Sequence, residues 1–154
     1  MQGTIRRARL EDAEALHRHC YGETALEDVR DYLAWCLRQE EKGRIVRLVA
    51  EVDGQAVANA QLTVWGDRGE IGSLVVGRAF RRQGLARQLV TALITQGQER
   101  GLAGLEISVR QSQPHVLAFY RQLGFEIVEA QKNGLSHPAC SEPVVHLWMR
   151  LPGR

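Results

Sequence analysis

Apolar positions recur along this chain in two rhythms, and the switches between them divide it into elements. Thr4 to Arg9 reads as a first strand. In EDAEALHRHC, Ala13, Leu16 and Cys20 fall at helical spacing, with acids in the first turn. The segment TALEDVRDYLAWCLRQEEKG sets Leu26, Val29, Leu33 and Leu37 on one stripe; Thr24 and Glu27 have the spacing of a capping box, and Gly43 closes the helix. The β-branched run IVRLVAEV and its neighbour AVANAQLTVW flank Asp53-Gly54, a dipeptide that supplies positive φ for a tight turn, which predicts an antiparallel hairpin. GDRG then leads into EIGSLVV, a further strand with Gly72 inside it, where a glycine often marks a bulge or a close backbone approach.

From Gly84 to Gly101 the period lengthens again. Leu85, Leu89 and Leu93, with Ala86, Val90, Ile94 and Gly97, trace one broad apolar face, while Arg87, Gln88, Gln98 and Glu99 point elsewhere. LEISVR is a short strand. QSQPHVLAFYRQLG is a helix with Pro114 at its first position and Gly124 just past its end. FEIVEA and VVHLWMRL read as closing strands, separated by the irregular QKNGLSHPACSEP, residues 131–143, a loop long enough to expect function in it. The order is strand, two helices, three strands, helix, strand, helix, two strands. It predicts a mixed α/β (α+β) domain: a mostly antiparallel central sheet of about seven strands flanked by about four helices.

Bulk properties narrow the picture. With 154 residues, 44% of them hydrophobic, a single domain over residues 1–154 is expected, with no linker or repeat. Lys plus Arg (20) against Asp plus Glu (18) leaves a net charge of +2, too near neutral for a whole-protein grip on nucleic acid. Any anion site must be local. Three cysteines without CxxC spacing suggest neither a disulfide framework nor a zinc site, and a reducing cytoplasm fits them. No apolar run approaches the roughly 20 residues of a membrane helix, and the N-terminal stretch turns charged before a signal-peptide core could form, so none is expected. Neither metal nor membrane is expected.

One local concentration of charge stands out. FRRQGLAR, Phe80 to Arg87, sits where an apolar strand ends and the helix from Gly84 begins. A helix N-terminus carries unsatisfied N–H groups and about half a positive charge. Gly84 would let an anion reach that backbone without a Cβ in the way, Ala86 keeps the next turn small, and Arg81, Arg82 and Arg87 add positive potential. On these grounds alone a phosphate cradle and a solvated, arginine-rich turn both remain open. The Walker GxxxxGK[ST] and the Rossmann GxGxxG are absent, which argues against a nucleotide kinase or a dehydrogenase.

Arg81-Arg82-Gln83-Gly84-Leu85-Ala86 resembles the [Q/R]-x-x-G-x-[G/A] pyrophosphate motif of the GNAT superfamily of N-acetyltransferases. The likeness extends to IRRARLEDAEAL, to EIGSLVVGRAFRRQGLARQLV and to AFYRQLGFEIVE, in the family's order and over nearly the whole chain. It implies an enzyme: transfer of an acetyl group from acetyl-CoA to a primary amine by direct attack in a ternary complex, without metal. The resemblance puts the pantetheine arm along the backbone of Leu74, Val75 and Val76, where a strand N–H would polarise the thioester carbonyl. The diphosphate would rest on the cradle of Arg81, Arg82, Gln83, Gly84, Leu85, Ala86 and Arg87. Tyr120 falls on the residue that commonly protonates the departing thiolate, a phenol being a proton donor at neutral pH. Helical spacing with Val116 and Leu123 also allows Tyr120 a plain core role. Glu70 opens the strand at a position where some members hold a glutamate base; regular alternation would put it on one face with Gly72, Leu74 and Val76, with Ser73 on the other.

The sequence departs from the family pattern at Gln113, where an asparagine often contacts the arm, at Val116 in place of an alanine, and at Arg78 in place of a proline. His17 and His19 face different ways on one helix and read as surface residues; His137 and Cys140 lie in the long loop without a third orienting group. Tyr32, Trp35 and Trp65 could line an acceptor pocket, although each taken singly reads as core. The acceptor is expected to be a small-molecule or peptide amine, and a homodimer is one expectation of the family. The rival class is a non-catalytic acyl-CoA-binding module on the same fold. A nucleic-acid patch of Arg78, Arg81, Arg82 and Arg87 lacks interleaved aromatics.

Overall fold

The computed structural model describes residues 3–128 and 144–152. Strand β1 (Thr4–Arg7) leads through a 3₁₀ turn (Leu10–Asp12) into α1 (Ala13–His19) and α2 (Leu26–Glu41). Strands β2 (Ile45–Val52), β3 (Gln55–Trp65) and β4 (Arg68–Val76) follow, then a second 3₁₀ turn (Arg78–Phe80) and α3 (Leu85–Glu99). Strand β5 (Gly104–Arg110), α4 (Pro114–Gln122), β6 (Glu126–Val128) and β7 (Val144–Arg150) complete the order. The seven strands form one sheet, β1-β2-β3-β4-β5-β7-β6, antiparallel except where β4 meets β5. A parallel pair needs a crossover, and α3 supplies it. The predicted element order and fold class both hold.

The hairpin forms as expected: Val52 pairs with Gln55, and Asp53 and Gly54 have φ of 51° and 79°, the double positive φ of a two-residue turn. Register then sorts side chains into two faces. Val46, Leu48 and Ala50 of β2, Ala58, Ala60 and Leu62 of β3, Ile71 of β4, and Leu105, Ile107 and Val109 of β5 share one buried cluster with Leu85, Leu89, Val90 and Leu93 of α3. Each such leucine withdrawn from water is worth about 1.5–3 kcal/mol. The opposite face of β2 and β3 is covered by α1 and α2, through Val49 and Ala56 against Leu16, Val29 and Leu33. Here the sheet also buries Arg47, whose guanidinium donates to Asn59, Gln61 and the Tyr32 hydroxyl. Read as part of a plain apolar strand, Arg47 is instead a buried polar tie between sheet and α2.

Local expectations fail in instructive places. Thr24 does not cap α2: the N-cap is Ala25, and no side chain caps that end. The buried residues of α2 are Val29, Leu33 and Cys36, while Leu26 and Leu37 are partly exposed, because the helix rolls Cys36 toward Gln61. The capping box lies earlier. Asp12 Oδ2 accepts the Arg9 N–H at 2.7 Å, and both Asp12 oxygens accept from the Arg6 guanidinium, at 2.8 and 2.9 Å. Cys20 is the C-cap of α1, yet it packs partly buried against the same cluster as Ala13 and Leu16, as its spacing suggests.

Candidate functional site

The site begins with a fork in the sheet. Strands β4 and β5 pair only at Arg68↔Gly104, Gly69↔Leu105 and Glu70↔Glu106, although each continues for several residues beyond. What parts them is a bulge. Gln61 pairs with Gly72 and Asn59 with Val75, so Ala60 opposes both Ser73 and Leu74. Ser73 takes φ 54°, a left-handed conformation costing a non-glycine residue about 1–2 kcal/mol. The sequence pointed to Gly72 as the irregular position; the positive φ falls on its neighbour.

The extra residue flips the alternation. Leu74 and Val76 pack against the α3 cluster, together with Ile71, while Glu70 and Gly72 lie opposite Thr63 and Gln61 on the other face. The expected grouping of Glu70 with Leu74 and Val76 is therefore corrected: it assumed an unbroken pleat. Backbone phase changes too. Gly77 N–H donates to Val57 O at 2.8 Å, so Gly77 and Val75 turn their peptide groups toward β3. Leu74 and Val76 turn theirs into the fork, and the Val76 carbonyl accepts from Arg81 Nε at 3.2 Å. Of the three residues proposed for the arm, two present backbone there and Val75 does not.

Beyond the fork lies the turn FRRQGLAR. Arg82 has φ 64° and Gly84, the N-cap of α3, has φ 82°. A Cβ at Gly84 would meet nothing within 4 Å, so the glycine serves the backbone angle and leaves open space above it. Gln88 N–H bonds back to Gly84 O, whereas the amides of Gly84, Leu85, Ala86 and Arg87 have no protein acceptor among the described residues. Arg81, Arg82, Gln83 and Arg87 are exposed around them. Four converging donors at a helix start in positive surroundings suit a phosphate-sized anion. The side chain of Arg81 is spent on tying this turn to β4.

Tyr120, on α4, is 5% exposed and packs edge-on against Phe119 and Phe125, at 5.0 and 5.8 Å between ring centres. Its hydroxyl has no hydrogen-bond partner among the described residues, and burial pushes its pKa up to about 12. Tyr120 is thus a core residue by packing, and the same burial keeps its phenol protonated. Gln113 is the N-cap residue of α4 and is exposed. Glu70 stands at the root of the fork. Burial, and then the Glu106 carboxylate, raise its pKa, while His146 opposes them.

Tyr32, Trp35 and Trp65 are not core: they are 47%, 42% and 61% exposed, Tyr32 and Trp35 stacked at 5.9 Å and Trp65 at the far end of β3. A strand end and the outer side of α2 expose residues that composition alone assigns inward. His19 contacts Gln55 and the Phe80 ring, and no cluster fit for a metal occurs among the described residues. His137, Cys140 and the rest of the loop at 131–143 lie outside the described residues. Sequence reasoning missed Glu106, Ser108 and His146, which the register brings beside Glu70. Their signal was only the alternation of polar residues in LEISVR and VVHLWMR.

Comparison with known proteins bears on this geometry. The protein of Haemophilus ducreyi called [Ribosomal protein bS18]-alanine N-acetyltransferase is 40% identical over 67 residues, covering 44% of this chain and 46% of that one. The Escherichia coli K12 protein of the same name is 33% identical over 81 residues, covering 53% and 55%. The chain thus spans about half the length of these relatives. Among solved structures, the ribosomal-protein-alanine N-acetyltransferase of Brucella melitensis superimposes with a TM-score of 0.78 at 24% identity, covering 96% of this chain and 99% of the other. The paia N-acetyltransferase of Thermoplasma acidophilum, solved in complex with coenzyme A, gives 0.78 at 15% identity, covering 98% and 100%. These two likenesses show the fold. The sequence profile of the Acetyltransferase (GNAT) family matches residues 10–125, a span that holds the fork, the cradle and Tyr120, and the chain belongs to that family.

Proposed function

We propose that the protein is an acetyl-CoA-dependent N-acetyltransferase whose acceptor is a primary amine, and more narrowly the terminal amine of a peptide chain. The observation that carries this reading is the fork between β4 and β5 opening onto the free amides of Gly84, Leu85, Ala86 and Arg87. The cradle fits a diphosphate, and the peptide groups of Leu74 and the N–H of Val76 are available to an arm lying in the fork. Relatives whose name makes a ribosomal-protein alanine the acceptor support the peptide amine, and the coenzyme A complex of the Thermoplasma protein supports the donor.

In the reaction the amine nitrogen bonds to the thioester carbon, the carbon–sulfur bond breaks, and the leaving thiolate takes the Tyr120 proton. A peptide N–H in the fork, that of Leu74 in this reading, stabilises the oxyanion. Tyr120 is suited to its part because burial keeps the phenol protonated until a strong base forms beside it. The proton lost by the amine leaves on the opposite face, where Glu70 stands. Proximity of the two bound reactants supplies much of the acceleration. A reducing, cytoplasmic setting, in which Cys20 and Cys36 stay free thiols, goes with this reading, as does a homodimer that sizing would test.

Acetyl-CoA raises the melting temperature of the wild type by mass action, and Gly84→Glu, which sets a carboxylate in the cradle, abolishes the rise. Thiol released from acetyl-CoA with an alanine-terminated peptide reports turnover. A melting shift without release for any amine would leave only a binding module; no shift in the wild type would end the reading.

A further inference from the structure

Two side chains at the fork have no part in the reaction above. Carrying the parallel register of β4 and β5 past its last pair, Glu70↔Glu106, sets Ser108 level with Gly72, where Ser73 bulges and the strands separate. Ile107 and Val109 point to the α3 cluster, so Ser108 faces the other way. Its partner on β7 is His146, with Ser108 Oγ and His146 Nδ1 3.1 Å apart. A Cβ on Gly72 would meet nothing within 4 Å, which leaves the space beside this pair open. His146 Nε2 has no partner among the described residues.

We infer that His146, held by Ser108, takes the proton that the acceptor amine loses as it attacks. The inference rests on the N-acetyltransferase reading. Tyr120 lies in the apolar cluster with Val109 and α3, so the proton for the departing sulfur comes from that face. The amine approaches the same carbon from another direction, and Ser108 and His146 occupy the opposite face. With Nδ1–H donating to Ser108 Oγ, Nε2 carries the free lone pair, and imidazole is the side chain suited to accept a proton near neutral pH. Nitrogen bonds to carbon, sulfur leaves with the phenol proton, and Nε2 gains the amine proton; solvent then returns one proton to the phenolate and removes one from the imidazolium. Among the described residues, the charged side chains sharing this face on β4 to β7 are Arg68 and Glu70 on β4, Glu106 and Arg110 on β5, Glu126 on β6 and Arg150 on β7, with Arg47 on β2 beyond them. Glu70 and Glu106 supply the countercharge for the imidazolium. Glu70, three residues before the bulged Ser73, is then an electrostatic partner rather than the first proton acceptor. Ser108 is a positioning residue.

The test is thiol release from acetyl-CoA across pH, with an alanine-terminated peptide and a panel of primary amines, in wild type, His146→Asn, Ser108→Ala, Ser108→Thr and Glu70→Gln. Asparagine keeps a group that can bond Ser108 where Nδ1 does, but it cannot titrate. Expected for His146→Asn is a fall in kcat of about 10²-fold at pH 7 that persists above the amine's own pKa near 8, because the proton is lost as nitrogen bonds to carbon, with the acetyl-CoA melting shift unchanged. Ser108→Ala loses several-fold and Ser108→Thr recovers it. His146→Asn within about twofold of wild type at pH 7 overturns the inference, and so does a pH-dependent loss confined to Glu70→Gln, which hands the role to Glu70. A His146→Asn protein without the melting shift makes the residue structural and also overturns it. Wild type that releases no thiol with any amine ends the function reading and this inference with it.

Discussion

The packing of Tyr120 and the acid role proposed for it draw on one environment. Phe119 and Phe125 hold the ring, and the same burial that fixes it keeps the phenol protonated. Tyr120→Phe keeps the packing and removes the proton, so kcat should fall about 10²-fold while acetyl-CoA still raises the melting temperature; unchanged turnover would leave only the packing role. Asp12 shows the opposite balance. Burial opposes its charge, but the Arg6 guanidinium and the Arg9 amide outweigh it and hold the carboxyl below the ordinary aspartate value of 3.8. A depressed carboxylate pKa stabilises the fold above the unfolded value and loses that contribution as pH falls through the folded one. Asp12→Asn should therefore melt below wild type at pH 7, with the gap closing as the pH falls below 3.8; a gap independent of pH would show that charge is not the cause. The residue type marked Tyr120 in the sequence. It could not mark Ser73, because a left-handed serine is imposed by a bulge that two strands make together.

Between strands and helices, what matters is where pairing stops. Hydrophobic rhythm predicted β4, β5 and α3, with the correct start of the helix at Gly84 and the turn at Asp53-Gly54, since these are local patterns with local causes. The fork was not in the rhythm of either strand. It arises from one extra residue opposite Ala60, and that residue turns Leu74 and Val76 toward α3 and their peptide groups into the gap. The capping box fails for a similar reason. Thr24 and Glu27 have the spacing, yet the chain enters α2 one residue late, with Ala25 at the N-cap. A working threonine cap would cost about 0.5–2 kcal/mol to remove. Thr24→Ala should instead leave the unfolding free energy within about 0.5 kcal/mol of wild type; a loss of a kilocalorie or more would restore the cap.

Across the whole molecule, the sheet would divide the proposed reaction between its faces. The α3 side carries the apolar cluster and Tyr120, and the other side carries Arg47, Glu70, Glu106, Ser108 and His146. Hydrophobicity alone leads Tyr32, Trp35 and Trp65 to be placed inside, but the layers leave them on the outer rim of the second face. A sequence read one element at a time cannot show which polar residues meet across β4, β5 and β7, which is why the cradle was found early and the residues beside Glu70 only in three dimensions. The central claim is that the free amides following Gly84 hold the diphosphate while the fork holds the arm. A crystal of the protein grown with acetyl-CoA tests it most directly. The account predicts phosphate oxygens on the amides of residues 84–87 and the pantetheine chain against Leu74 and Val76; phosphates bound elsewhere, with these amides turned to solvent, would contradict it.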